Sequence, residues 1–244
     1  MLGVWYNSEK KRLTVILKSF RCSWDQCIFC CFSDESAENY RDLIETDLEI
    51  LRQAEKTLRQ REVRELVLFN GGSFFELPYQ VALRLSELTA HRDLALETRP
   101  EFLSEGTVLE TLQLLKPNKL TLRIGLESAS EKVRTHLRKG INDAQVQELI
   151  DLRRKLRRKT AGRVRFIAYI LFGVEGITEA STKKSVAFFR RCLDGVIAIK
   201  YKRYKAGMLQ EIHPSLKLLD YLRTNCEEVD MTETDAWEIT ARRK

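Results

Sequence analysis

The sequence predicts an α/β protein, a partial (βα)6 TIM-like barrel of parallel strands with a short C-terminal extension. Three observations predict it. Short β-branched, apolar runs alternate six times with segments of helical periodicity. No hairpin signal separates one strand from the next, so parallel strands with right-handed helical crossovers are expected. The chemically unusual residues recur where an apolar run ends, which is where ligands gather in barrels and in open sheets alike. Six units fall short of the eight that close a barrel, and an open doubly wound sheet satisfies the same pattern.

The first strand is read over residues 13–20, an apolar run beginning Leu13-Thr14-Val15-Ile16. Tyr40, Leu43, Ile44, Leu48, Leu51, Ala54 and Leu58 then recur at helical spacing and predict one long amphipathic helix. A second strand, residues 63–69, runs into Asn70-Gly71-Gly72-Ser73, and residues 78–91 are helical. A third strand, 94–98, ends in Glu97-Thr98-Arg99-Pro100, and a helix over about 105–115 follows. The fourth strand, 119–126, ends at Glu127-Ser128. Residues 129–159 are mostly helical with a break near Gly140. The fifth strand, 164–172, ends in Gly173-Val174-Glu175-Gly176. A helix over about 178–193 precedes the sixth strand, 195–200. Beyond about residue 206 the alternation fades, so residues 1–205 are expected to form the barrel and 206–244 an extension.

At 244 residues the chain is long enough to bury a sizeable core without disulfide staples. No apolar run reaches the length of a membrane span, and the N-terminus lacks the pattern of a signal peptide. The expected location is cytoplasmic, with no membrane partner. Thiols stay reduced there, and clustered cysteines more often hold metal than disulfides. The formal net charge is +7. One basic block carries Arg153, Arg154, Arg157 and Arg158; a second, residues 200–205, carries Lys202, Arg203 and Tyr204; Arg242-Arg243-Lys244 is a third. Interleaved tyrosines in the second block suit base stacking beside phosphate-binding cations, so tRNA or another nucleic acid is the expected partner. A solvated helix face accounts equally well for the first block.

Cys22-Ser23-Trp24-Asp25-Gln26-Cys27-Ile28-Phe29-Cys30-Cys31 follows the first strand directly. Its C-x4-C-x2-C spacing lets one loop fold around an iron–sulfur cube. Three thiolate ligands leave one iron open to an exogenous ligand, where four would close it. Structural zinc is the other use of such thiols, but no second C-x-x-C is present to complete a paired site. Cys31 also allows a Cys27-x3-Cys31 frame. Cys22, Cys27 and Cys30 are the favoured set, because Phe29 then precedes the last ligand, where its ring would flank a bound base. Cys31 becomes an adjacent packing thiol. Cys192 and Cys226 are read as ordinary packing residues, and His91, His136 and His213 as incidental.

These motifs, in this order, resemble the radical S-adenosylmethionine (SAM) superfamily over about residues 10–200. Within it, Cys22 to Cys30, Glu97-Thr98-Arg99-Pro100-Glu101-Phe102 and Ile124-Gly125-Leu126-Glu127-Ser128 resemble the Elp3-like group and the radical SAM subunits of archaeosine synthases. The resemblance implies a [4Fe-4S] cluster on Cys22, Cys27 and Cys30, S-adenosyl-L-methionine on the open iron, and a 5′-deoxyadenosyl radical. It places Gly71 and Gly72 against the methionine amine, with Ser73 where that family carries an acid. Glu97, Arg99 and Glu127 become cofactor contacts, Lys139 a partner of the cofactor's carboxylate, and Gly173 to Gly176 a turn beside the adenine. It further implies an external electron donor, an auxiliary subunit, and tRNA modification of the archaeosine type. A radical enzyme of a peptide or small metabolite, and a non-catalytic metal-stabilised RNA-binding module, are the competing functions.

Overall fold

The computed structural model describes residues 2–231, so the basic Arg242-Arg243-Lys244 lies outside the described residues. The described residues form one eight-stranded sheet whose spatial order is the order of the sequence: β1 (Gly3–Asn7), β2 (Arg12–Ile16), β3 (Glu65–Phe69), β4 (Asp93–Thr98), β5 (Lys119–Glu127), β6 (Val164–Phe172), β7 (Gly195–Lys200) and β8 (Glu228–Asp230). A doubly wound sheet reverses its strand order at a switch point. No reversal occurs here, and the α/β partial barrel is the architecture. The crossovers carry α1 (Tyr40–Gln60), α2 (Tyr79–Thr89), α3 (Glu105–Leu115), α4 (Glu131–His136), α5 (Asp143–Lys159) and α6 (Glu179–Cys192), and α7 (Leu216–Asn225) precedes β8.

Two compact units make up the chain, one of residues 2–25, 32–123 and 154–165, the other of 26–31, 124–153 and 166–231. In the first, β2 pairs parallel with β3 and β3 with β4, in the registers Leu13 to Leu66 and Leu66 to Leu94. Leu13, Val15, Leu66, Leu68, Leu94 and Leu96 are buried, as are Leu43, Leu51 and Ala54 of α1 and Val81 and Leu85 of α2. Asn39 starts α1 by accepting the Asp42 N–H at 2.9 Å, and Ser104 starts α3 by accepting that of Thr107 at 3.1 Å. Caps of this kind stabilise a helix by about 1 kcal/mol each.

In the second unit β6 pairs parallel with β7, and β7 with β8. Phe166, Ile170, Phe172 and Ala198 are buried in its strands, with Val186 and Phe189 of α6 and Leu218 and Leu222 of α7.

Two expectations are corrected at the sheet's edges. The run over residues 13–20 is a strand only over Arg12–Ile16, and a hairpin precedes it: β1 pairs antiparallel with β2, from Gly3 to Ile16 through Asn7 to Arg12. Its turn hides because Lys11 takes the left-handed conformation, φ +48°, that glycine or asparagine normally signals. At the other edge the alternation continues past residue 206, since α7 returns the chain to a parallel β8. Only three residues long, β8 has too few positions to show a period.

Candidate cofactor site

In the first unit the motifs meet at the C-terminal ends of β2, β3 and β4. The backbone leaves β2 by donating the Leu17 N–H to the Phe69 carbonyl at 2.8 Å, and reaches Cys22 at the turn after β3. That turn depends on its glycines. Gly71 has φ +70°, and a Cβ there would stand 3.2 Å from that of Phe32. A Cβ on Gly72 would stand 2.8 Å from Glu76 Oε2 and 3.8 Å from Cys22 Cβ. Ser73 is buried, and its hydroxyl shares a 2.9 Å hydrogen bond with that of Thr98, tying the end of β3 to the end of β4.

Glu76, which the motif reading passes over, is the acid of this turn. Its Oε1 accepts the Ser23 N–H at 2.8 Å and its Oε2 the Ser73 N–H at 2.8 Å. The signal for it was present: Ser73-x-x-Glu76 is a capping box, here opening a short 3-10 turn at Phe74–Glu76. Glu97 is half-buried at the end of β4. Arg99 is buried, pairs with Glu101, and lies 5.5 Å from the ring centre of Trp24, a residue of the cysteine loop. Trp24 is a second neighbour that spacing alone did not single out.

In the second unit the rest of the loop is held differently. The Cys30 N–H donates to the Cys27 carbonyl at 3.2 Å, closing Cys27 to Cys30 into a tight turn, and the Ile28 N–H donates to the Leu137 carbonyl at 3.2 Å. Phe29 and Cys31 pack against a buried cluster of Leu137, Leu171, Val174, Tyr201 and Met208. Lys139 Nζ lies 5.5 Å from the Phe29 ring centre and donates to Glu127 Oε1 at 2.8 Å. Glu127 and Lys139, expected as separate cofactor contacts, are thus a buried ion pair. Glu127 is also strained, with φ +62°, and Gly125 makes room for the pair: a Cβ there would stand 2.7 Å from Lys139 Nζ.

Arg134, fully buried and absent from the sequence-based candidates, secures this corner. It donates to the carbonyls of Ser128 at 2.9 Å and Ile141 at 2.8 Å and pairs with Asp143, binding the turn after β5 to the loop that carries Lys139. Gly173 and Gly176 hold the turn after β6. A Cβ on Gly176 would stand 2.2 Å from His136 Nε2, so His136 packs where only glycine leaves space.

All six cysteines are partly exposed thiols outside any disulfide. Four of them lie within one loop, and thiolates are soft donors of the kind that suit iron and sulfide. Cys22 belongs to the first unit; Cys27 and Cys30 belong to the second.

The basic blocks are less uniform than their sequence. Arg153 pairs with Asp194, donating from Nε at 3.1 Å, and Lys155 and Lys159 both pair with Glu105. Arg154, Arg157 and Arg158 are exposed. In the second block Tyr201 is no stacking platform: it is buried, with its hydroxyl donating to the Leu209 carbonyl at 3.0 Å. Lys202 is half-buried. Arg203 donates its backbone N–H to Glu211 at 2.7 Å and its guanidinium to Gln210 at 2.9 Å, and Tyr204 is exposed. Among the described residues no helix is long and apolar enough to cross a membrane.

Comparison with known proteins gives this arrangement a family. Residues 16–189 match the Radical SAM superfamily. An uncharacterized protein of Methanocaldococcus jannaschii is 27% identical over 202 residues, covering 75% of this chain and 53% of its own. The archaeosine synthase subunit beta of Methanosarcina acetivorans is 31% identical over 139 residues, covering 52% and 39%. The chain therefore spans about half or less of the length of these relatives. Among solved structures, a queuine lyase from Clostridium spiroforme bound to SAM and queuine superposes with a TM-score of 0.71 at 18% identity, covering 94% of both chains. A radical SAM methyltransferase from Sphaerobacter thermophilus gives 0.65 at 16% identity, over 98% of this chain and 70% of that one. At these identities the two structures show a shared fold. The family match spans well over half of the chain, which belongs to the radical SAM superfamily.

Proposed function

We propose that the chain holds a [4Fe-4S] cluster on Cys22, Cys27 and Cys30 and uses S-adenosyl-L-methionine to modify tRNA in an archaeosine-type reaction, cleaving a lysine adduct of a deazaguanine base. The observation that carries the cofactor reading is the anchoring of the cysteine loop. In the first unit it is bonded to the carboxylate beside the Gly71-Gly72-Ser73 turn, and in the second to the end of α4, next to Glu127 and Lys139. Cluster and cofactor, when bound, would supply radical chemistry for hydrogen abstraction.

The chain's own residues orient and shield that chemistry. Gly71 and Gly72 leave the backbone open to close approach by the methionine amine, and Ser73 keeps the turn in place through Thr98. Glu97 at the end of β4 and Arg99 just after it supply polar contacts. Lys139, held by Glu127 in a buried ion pair, would present its ammonium to the cofactor's carboxylate, and Glu127 holds it in position. Phe29 offers an apolar face beside that ammonium.

The tRNA reading is supported by the archaeosine synthase relative, by the net charge of +7 and by the exposed arginines of α5. Because that relative is named as a subunit, an auxiliary subunit is a proposed partner, together with an external electron donor. The proposed setting is the cytosol, where the thiols stay reduced. A second reading, a small metabolite or peptide as substrate, is favoured by the ion pairs that already occupy Arg153, Lys155 and Lys159.

Anaerobic reconstitution with iron and sulfide, followed by reduction in the presence of S-adenosyl-L-methionine, tests both levels. Four-iron absorbance and 5′-deoxyadenosine are expected, with the yield rising when bulk tRNA from cells lacking the activity is added. Absence of the cluster overturns the cofactor reading. Turnover indifferent to tRNA, but stimulated by a small-molecule extract, overturns the tRNA reading alone.

A further inference from the structure

Ser73 stands where the resembling family carries an acid, yet its hydroxyl is committed within the fold. It bonds Thr98 Oγ1 at 2.9 Å and accepts the Phe75 N–H at 3.3 Å. The carboxylate that faces the cysteine loop instead comes from Glu76, three residues on. Its two oxygens each accept one backbone N–H, from Ser23 and from Ser73, both at 2.8 Å, joining segments that lie 53 and 3 residues away in sequence.

The Ser23 N–H belongs to the peptide unit that leaves Cys22. Holding it restricts the ψ torsion of Cys22, and so the base from which that thiol projects. Gly72 closes the arrangement, because the space a side chain would need there lies 2.8 Å from Glu76 Oε2 and 3.8 Å from Cys22 Cβ. Cys22 lacks the short turn that secures Cys27 and Cys30 to each other. Four residues separate it from Cys27, and its orientation needs an outside anchor.

We propose that Glu76 is a positioning residue for Cys22, a charged bracket that couples the first thiol of the loop to the Gly71-Gly72-Ser73 turn. The inference rests on the proposed ligand set. A carboxylate suits the task because it accepts on both oxygens and forms charge-assisted bonds with backbone N–H groups. A glutamine at this position keeps one acceptor and turns an NH2 toward a backbone N–H. An aspartate keeps both acceptors but is one methylene short.

The test compares wild type with Glu76→Ala, Glu76→Gln and Glu76→Asp. In the metal-free, reduced protein the rate of iodoacetamide alkylation at Cys22 is measured relative to Cys192 of the same molecule by mass spectrometry. A rise of at least three-fold in that ratio is expected for the alanine and glutamine variants, with aspartate in between. After reconstitution, bound iron should fall by half or more in the first two. The reduced cluster's electron paramagnetic resonance spectrum should change, and its response to S-adenosyl-L-methionine should weaken. If alanine prevents folding, the glutamine and aspartate variants carry the comparison. An unchanged ratio in every folded variant overturns the proposal, and so does a rise at Cys22 and Cys192 alike, which marks general loosening. If wild type itself takes up no cluster, the ligand set fails while the alkylation ratio still judges Glu76.

Discussion

Two adjacent thiols, Cys30 and Cys31, are distinguished by their surroundings. Cys30 closes the turn with Cys27, whereas Cys31 packs beside Phe29 on the apolar cluster of Leu137, Leu171 and Val174. A small apolar replacement serves such a packing position and cannot serve a ligand. Cys31→Ala is therefore expected to keep the iron–sulfur absorbance of the reconstituted protein, and Cys30→Ala to lose it; bleaching in Cys31→Ala would reverse the assignment. Asp47 of α1 is a residue of another kind. Fully buried, it accepts the Lys18 N–H on Oδ1 at 2.7 Å, while Oδ2 has no hydrogen-bond partner among the described residues. Burial, opposed by the Lys18 N–H and ammonium and assisted by the charge of Asp42, pushes its carboxyl from 3.8 up to about 7. A raised acid favours the fold only while protonated. Its stabilising contribution is complete below about pH 4 and declines by up to about 1.4 kcal/mol per pH unit until the folded carboxyl ionises near pH 7. Asp47→Asn, which does not titrate, should match wild type near pH 4 and exceed it in urea midpoint at pH 8. Equal midpoints at pH 5 and pH 8 would show that Asp47 ionises as freely folded as unfolded.

At the scale of elements, the end of β5 shows how a strand can be shaped for a pair of charges. Gly125 stands two residues before Glu127, on the same face of the strand, and its missing side chain is the space in which Lys139 meets Glu127. Gly125→Ala must displace a buried ammonium or carboxylate, and a destabilisation of about 1–3 kcal/mol is expected in denaturant melts of the metal-free protein. Gly106 of α3 is the counterpart without a task. A Cβ there meets nothing nearer than Ser104 Oγ at 3.8 Å, so Gly106→Ala should stabilise by about 0.5–1 kcal/mol. Opposite signs from one substitution type would confirm that room, not glycine itself, is what β5 requires. Elements of this kind were legible in the sequence where they announce themselves twice. The strands 119–127, 164–172 and 195–200 have both an apolar run and a motif at their ends. β1 was missed because its turn, opened by the Asn7 side chain accepting the Lys10 N–H at 2.9 Å, closes on a left-handed Lys11 instead of a glycine, and β8 because three residues carry no pattern. In the site, residue types were legible but pairings were not. Glu127 and Lys139 are twelve positions apart, and nothing in their spacing says that they bond each other. Tyr201 reads like a base-stacking ring beside cations, yet the second unit uses it as core.

For the molecule as a whole, a net charge of +7 overstates what phosphate can reach. Lys155 and Lys159 share Glu105, and Arg153 spends its charge on Asp194 in a largely buried pair; each pairing must be exchanged before the cation serves a nucleic acid. Arg157 and Arg158, on the same helix, are exposed. If α5 binds tRNA, these two should carry the larger share. Binding measured across a salt series should weaken linearly in logarithmic coordinates, and each lost phosphate contact should lower the slope by about 0.7–0.9. The double variant Arg157→Glu/Arg158→Glu is expected to reduce affinity at least ten-fold at low salt and to lower the slope by about 1–2. Lys155→Ala/Lys159→Ala should change both far less, because these two cations are already committed to Glu105. The reverse ranking would mean that the ion pairs open on binding and that Glu105 merely stores the two lysines. A slope near zero in wild type would move the basic face out of substrate recognition altogether, leaving the small-molecule reading of the active site in possession.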